Sequence, residues 1–487
     1  MGPKRAKISK ILRDRISELP DDVLSFTLSF LPIREASRTS IISCRWRYLW
    51  KDAVKFSSGL TLDVFGIRDS EYTEEFLENK KLMSAERYRF VTWVDKILEL
   101  DYGPSLHSFK LRFDLKNKFA RHIDRWINMA IAKRVQKYDI DLSVFPTMRN
   151  CPDKYLYTIP ECFFTEAMGA LLKCLYLKSC ILSPPNFNCF RSIVDIKLEN
   201  VVVDQGILAK ILSNCTDLEK LWLEDCWKLL DLTISISSLK LKELKIFTYQ
   251  RLRDVKINAR KLTRFEYYGE PLTFTFLNVP ELSNLAMGWR GKKSASNLSY
   301  ALGKLSSDVP QLETLFIVSA SLKENMIPKP LSSYKNLRKL VVQAMHSELT
   351  LWGFIHLLHS SPFLHWLELH LFPVDVESES KCIAGQRRQP CDSRHLYLEH
   401  IVVTGFEGAS HQIEFMKHLL RNCVALKKMT IDNYSQAYCP KRGLHNANCY
   451  RIGMTQKHFA EERKMMLDRA QAPLVSAVPA GVQLLFL

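Results

Sequence analysis

One phrase, L-x-x-L-x-L, returns along most of this chain and constrains its fold more than any other feature. It reads LKCLYLKSC from Leu172, IVDIKLENV from Ile193, LEKLWLEDC from Leu218, LKELKIF from Leu241 and LTRFEYY from Leu262. It continues as LSNLAMG from Leu282, LETLFIV from Leu312, LRKLVVQ from Leu337 and LHWLELH from Leu364. LHSFKLRF and VQKYDIDL are degenerate earlier copies, HLYLEHIVV and LKKMTIDN later ones. Most copies lie about 20 to 30 residues apart, the period of a stacked-repeat architecture. Inside the phrase the apolar positions alternate, which marks a strand with one buried face. A second phrase precedes several copies: ILSNCTDLEKL, LSSDVPQLETL, LLHSSPFLHWL and LLRNCVALKKM. It reads as the end of a helix, a turn and the approach to a strand. Each unit is therefore expected to be helix–turn–strand. One unit cannot bury its own leucine face, but stacked neighbours can. At roughly 1.5–3 kcal/mol per buried Leu or Ile, such a stack offsets much of the ordering entropy.

Composition narrows the class. At 487 residues the chain is too long for one ordinary core. Its 69 Lys and Arg against 52 Asp and Glu leave a net charge of +17. The excess is concentrated between Lys80 and Lys137 and reads as a solvated basic face. It attracts acidic partners without choosing among them. Neither a Cys/His finger spacing nor an RNP-type aromatic motif supports nucleic-acid binding. The start, MGPKRAKISK, is basic without a following apolar stretch, so it does not read as a secretory signal. The most apolar region, Leu349 to Leu371, is interrupted by histidines, Pro362 and Glu368 and does not read as a membrane span. The 13 cysteines form no C-x-x-C pair, as expected of reduced thiols in cytoplasm or nucleus. Cys180 and Cys226 fall at the inner turn of a repeat, a structural place.

Enzyme motifs fail on inspection. GWRGKKS has Ala286 where a phosphate loop needs Gly, and Lys293 breaks its ending. His346, His356, His359, His365 and His370 cluster without a carboxylate or thiol at ligand spacing, so they read as repeat filler. Cys439, His445 and Cys449 make only a loose group in the tail. No catalytic residue, cofactor or metal is expected.

Residues 14–50, DRISELPDDVLSFTLSFLPIREASRTSIISCRWRYLW, have a different logic. Pro20 holds Leu19 extended, and Asp21 and Asp22 suit the first turn of a helix. Val23, Leu24, Thr27, Leu28 and Leu31 recur at helical spacing, with Phe26 and Phe30 on the other side, until Pro32 stops the helix. A second short helix begins near Arg34, and a third runs through Arg45, Trp46, Tyr48, Leu49 and Trp50. So small a unit carries more apolar side chains than its own core can bury, which implies a partner.

This segment closely resembles the plant F-box, with LPDDVL, SFLP, REASRTS and RWRYLW in order; Thr27, Ser37 and Cys44 depart from the usual residues. The resemblance implies that Leu19, Pro20, Val23, Leu24, Leu28, Leu31, Pro32, Ile33, Trp46 and Trp50 bind the Skp-family adaptor of an SCF ubiquitin ligase, or support that surface, with the tryptophans partly internal. Further along, HIDRWINMAIAKRVQKYDIDL and TIPECFF resemble the linker and first repeats of plant F-box/leucine-rich-repeat proteins. HIVVTGFEGASHQIEFMKHLLRNCVALKKMTI resembles their FBD-type ending, and RAQAPLVSAVPAGVQLLFL the tail of grass members.

The expected fold is thus an α/β repeat solenoid, a leucine-rich-repeat horseshoe, preceded by a three-helix F-box. A basic tail occupies 1–13, the F-box 14–54 and a linker with N-terminal cap 55–105. Repeats fill 106–371, a polar insertion 372–394, FBD-like last repeats 395–434 and a capping tail 435–487, with a helix expected over Thr455–Arg469. A target protein is expected on the concave sheet, at Lys178, Lys197, Lys220, Trp222, Glu224, Phe247, Arg264, Tyr268, Phe316, Trp366 and His370. Their mixed charge argues against a purely anionic ligand. The expected role is that of a non-catalytic adaptor, linked to cullin through the Skp-family protein; a repeat scaffold without ligase association is the alternative.

Overall fold

The computed structural model describes residues 16, 18–63, 79–100, 102–143, 153–183, 190–226, 228–235, 240–248, 252–270, 272–289, 300–301, 303–319, 333–345, 348–372, 394–434, 436–439, 443–446 and 456–487. Two compact units result: Met1–Ile193 with Asn200–Val202, and Val194–Glu199 with Val203–Leu487.

The first unit opens with three short helices, α1 (Asp21–Leu28), α2 (Ile33–Arg38) and α3 (Trp46–Ala53). Pro20 and Pro32 stand before α1 and α2 in extended conformations, φ −58° and −53°. Each presets the chain direction without removing a needed helical N–H. Leu24, Leu28, Ala36, Trp46, Leu49 and Ala53 form the core, with Trp50 packed against it. Arg45 ties the approach to α3 to the start of α1, donating to Asp21 Oδ1 at 2.7 Å and to the Leu19 carbonyl at 2.5 Å. The Thr27 hydroxyl is satisfied by the Val23 carbonyl at 2.8 Å.

Behind these helices stand four parallel strands, Gly59–Asp63, Ser108–Arg112, Lys137–Asp141 and Cys174–Lys178. The helices Lys80–Leu98 and Ala120–Ala132 belong to the same unit. The first strand, GLTLD, lies in the segment read as linker, and its Leu60 and Leu62 are fully buried like the leucines of the repeats.

Among the described residues the second unit is built on a ladder of eleven parallel strands: Asp195–Glu199, Lys220–Glu224, Glu243–Phe247, Arg264–Gly269, Asn284–Trp289, Thr314–Ser319, Lys339–Met345, Trp366–Phe372, His400–Thr404, Lys428–Ile431 and Gln483–Phe486. The register is regular, so leucines of one repeat meet those of the next: Ile196, Leu221, Leu244 and Phe265 stand in one buried row. The helices Gln205–Asn214, Glu348–His359 and Ser410–Asn422 return the chain between strands. Asp204 caps the first of these, accepting from the Ile207 N–H at 2.8 Å.

The expectation of a helix in every repeat fails in the middle of this ladder. Asp231–Ser235, Asp254–Asn258 and Thr273–Asn278 return as strands, pairing in parallel in a second sheet. The physical cause is visible in the residues. DLTIS and DVKIN alternate with period two and bury Leu232, Ile234, Val255 and Ile257. The connections there are also the shortest within this ladder, and a strand needs fewer residues than a helix to cover the same length.

At the C-terminal end the helix Gln456–Val475 packs against Ser410–Asn422 and buries Met466, Ala470 and Leu474. The chain then adds the strand Gln483–Phe486 beside Lys428–Ile431. The sequence reading placed a capping helix here but not this strand. The polar insertion falls outside the described residues apart from Phe372, which ends the strand Trp366–Phe372, and Arg394.

Candidate adaptor and target surfaces

The ten F-box residues singled out from the sequence separate by environment. Leu19, Pro20, Val23, Leu31 and Pro32 are exposed, Leu19 at 39% and Val23 at 43%. Ile33 and Trp50 are half-buried. Leu24, Leu28 and Trp46 lie inside the helical core, so they support a docking surface rather than form it. Other exposed apolar residues stand outside that set of ten, among them Phe26, Phe30, Ile41, Ile42 and Tyr48. Phe26 and Phe30 meet edge to face at 5.0 Å. Their signal in the sequence was the excess of apolar side chains on every face of so small a unit. Exposure of this many large apolar groups on so small a module is unusual for a monomer and is the character of an interaction surface.

In the first unit, the outward strand positions alternate in charge. Arg112 lies 3.7 Å from Asp63 and 3.8 Å from Asp141, and Lys178 lies 3.6 Å from Asp141. Lys178 thus belongs to a short ladder of paired charges.

Within the second unit, the strand register places Lys197, Trp222 and Lys245 side by side. The Lys197 ammonium sits 4.0 Å from the Trp222 ring centre and that of Lys245 5.2 Å from it, a cation–π arrangement from both flanks. Phe247 meets Trp222 at 5.3 Å. Lys245 also contacts Glu243 at 3.0 Å and Glu266 at 3.5 Å, and Arg264 reaches Glu266 at 2.6 Å. Lys220 and Arg264 are exposed; Trp222, Tyr268 and Phe316 are half-buried. Tyr268 covers Gly288, where an added Cβ would overlap its ring.

A second group lies on the strand Trp366–Phe372. The Glu368 carboxylate accepts from the Trp366 indole and from Lys339, each at 2.7 Å, and stands 3.5 Å from the His370 ring. Burial pushes this carboxyl up, but His370, Lys339 and Trp366 together hold it down at about 2. Trp366 also packs on His400 at 4.8 Å.

Three of the expected target-facing residues are not open. Glu224, Phe247 and His370 are buried. Phe247 packs on Trp222, and His370 Nδ1 lies 2.9 Å from the Thr404 hydroxyl. The alternation rule gives the side of the sheet on which a residue stands, not whether its neighbours cover it.

Among the histidines, His346 lies outside the described residues, as does Cys449 of the tail group. His359 stacks on His395 at 5.7 Å. Burial and the neighbouring His359 and His418 lower His395 to about 4. Among the described residues no group of three His, Cys, Asp or Glu side chains is placed to hold a metal ion, and no helix is long and apolar enough to cross a membrane.

A small helical module ahead of a leucine-patterned parallel ladder is the architecture of an F-box/leucine-rich-repeat protein. Residues 16–57 match the F-box domain, and residues 97–487 match the family described as the At1g61320/AtMIF1 leucine-rich-repeat domain. The chain belongs to this plant F-box/leucine-rich-repeat family. An Arabidopsis thaliana protein named as an F-box/LRR-repeat protein, At5g54820, is 26% identical over 85% of this chain and 89% of its own length. The FBD-associated F-box protein At5g56370 of the same plant is 24% identical over 95% of this chain and 99% of its own length. A shorter match, 29% identical over 43% of this chain and 44% of the relative, joins it to the FBD-associated F-box protein At4g10400.

Proposed function

We propose that this chain is the substrate-recognition subunit of an SCF-type ubiquitin ligase. In this reading the F-box docks on a Skp-family adaptor and through it on cullin. The leucine-rich repeats hold the target protein. The observation that carries the reading is the exposed apolar surface of α1 and its flanks, formed by Leu19, Val23, Phe26, Phe30 and Leu31, on a module that matches the F-box. Its own core is complete without these residues. Their exposure therefore has no folding rationale and fits a partner's apolar groove.

The chain performs no bond chemistry in this reading. It raises the effective concentration of a target near an activated ubiquitin by holding the target and the ligase adaptor on one chain. The Trp222 and Trp366 groups supply aromatic anchors ringed by charge, the composition of protein-binding hot spots. Their lysines and carboxylates are paired with one another, which suits a mixed protein surface better than a uniformly anionic one.

Affinity capture of the tagged full chain from plant cells held under proteasome inhibition tests the reading. Recovery of a Skp-family protein together with cullin is the expected result. Recovery of the folded chain with neither would leave a repeat scaffold without ligase association.

A further inference from the structure

The basic segment read from the sequence as a solvated face is partly gathered into a concavity of the first unit. A cavity of about 330 Å³ is lined by Ser84, Arg87, Lys116, Asn117, Lys118, Phe119, Lys154 and Tyr155. Four of these eight side chains are cationic, and none is anionic. Arg87 is fixed in place by Asp114, donating through Nε to its carbonyl at 2.8 Å and forming an ion pair with its carboxylate. Lys118 lies 4.9 Å from the centre of the Tyr88 ring and Lys154 5.0 Å from that of Tyr155. The structure records no carboxylate within ion-pair distance of Lys116, Lys118 or Lys154 among the described residues.

Three lysines that share one cavity, none paired with a carboxylate among the described residues, repel one another, and an anion placed among them removes that repulsion. The backbone adds to the field. Asn117–Phe119 forms a 3-10 turn that leads directly into the thirteen-residue helix Ala120–Ala132, and that helix has no side-chain cap at its start. The positive end of its dipole lies at the cavity wall. Ser84 and Asn117 offer neutral donors, while Phe119 and Tyr155 supply an apolar wall.

We infer that this cavity binds a phosphate monoester, its dianionic phosphoryl group held by Lys116, Lys118 and Lys154 and its carbon skeleton against Phe119 and Tyr155. Charge-assisted bonds from several lysines select a doubly charged group over a single carboxylate. The phosphoryl group can come from a free phosphorylated metabolite or from a phosphorylated side chain of a bound peptide. The inference stands apart from the ligase reading, because it concerns a site away from α1 and needs no adaptor.

The test is titration calorimetry of the full chain with O-phosphoserine, with serine, and with one peptide in phosphoserine and serine forms. Wild type is compared with Lys116→Ala/Lys118→Ala/Lys154→Ala and with the matching triple Arg variant. Lys118 and Lys154 are exposed and Lys116 half-buried, so the substitutions leave the core intact; circular dichroism checks this, and Lys118→Glu alone serves if the triple variant unfolds. Phosphoserine is expected to bind, serine not, with at least about tenfold weaker binding in the Ala variant and retention in the Arg variant. A phosphopeptide at least about tenfold tighter than phosphoserine assigns a peptide source, and equal affinities assign a metabolite. Undetectable phosphoserine binding, or equal binding by wild type and Ala variant, overturns the inference.

Discussion

Single residues carry distinct burdens here, and substitution separates them. Trp46 fills the F-box core, whereas Val23 stands at its surface. Trp46→Ala is expected to destabilise the module by about 3–5 kcal/mol, while Val23→Asp leaves the unfolding midpoint nearly unchanged. Chemical denaturation followed by tryptophan fluorescence checks both. Glu368 has a pH signature. Its folded value of about 2 lies below its ordinary 4.5, so it stabilises the fold fully above pH 4.5 and progressively less as pH falls toward 2. His395 acts in a higher window. Its folded value of about 4 lies below the ordinary 6.5, so the neutral ring favours folding above pH 6.5 and that contribution fades as pH falls to about 4. Thermal melts are expected to show His395→Phe losing less midpoint than wild type between those two pH values. An equal loss would contradict the assignment.

Elements are joined by corners of a repeated kind. Ser179, Asn200 and Asp225 each follow a ladder strand and each adopts positive φ, between 49° and 56°. Asn and Asp tolerate this left-handed region better than other side chains. Arg134 does the same after the helix Ala120–Ala132, whose end is closed by bonds from Arg134 N–H to the Ile131 carbonyl and from Val135 N–H to the Ala130 carbonyl. That pattern usually carries glycine at the left-handed position. Arg134→Gly is accordingly expected to raise stability by about 0.5–1 kcal/mol, measured by urea denaturation. The strands were legible in the sequence because L-x-x-L-x-L states both period and buried face. The returns were not all legible: DLTIS and DVKIN are short alternating runs that become strands only because a neighbouring repeat offers a partner edge. The surface residues Phe26 and Phe30 were visible as excess apolarity, but only packing shows which apolar groups the core leaves out. In the ladder, Phe247 and His370 alternate outward as read, yet Trp222 and Thr404 meet them, and burial of that kind depends on partners about 25 to 35 residues away in sequence.

At the scale of the whole molecule, each unit is a sum of repeats that contact their neighbours, so its ends matter more than its middle. The C-terminal helix Gln456–Val475 and strand Gln483–Phe486 cover the helix Ser410–Asn422 and the edge of Lys428–Ile431. Removing residues 456–487 is expected to expose that strand edge, lower the melting temperature and promote self-association on size-exclusion chromatography. A monodisperse truncation melting like wild type would mean that these elements are dispensable. The proposed adaptor role depends on the apolar surface around α1 being a docking site. Co-purification of the full chain with a plant Skp-family adaptor, wild type beside Leu19→Ala/Pro20→Ala, tests this most directly. An equimolar complex is expected for wild type, with its loss in a variant that remains folded by circular dichroism. A folded wild-type chain that elutes apart from the adaptor would contradict it.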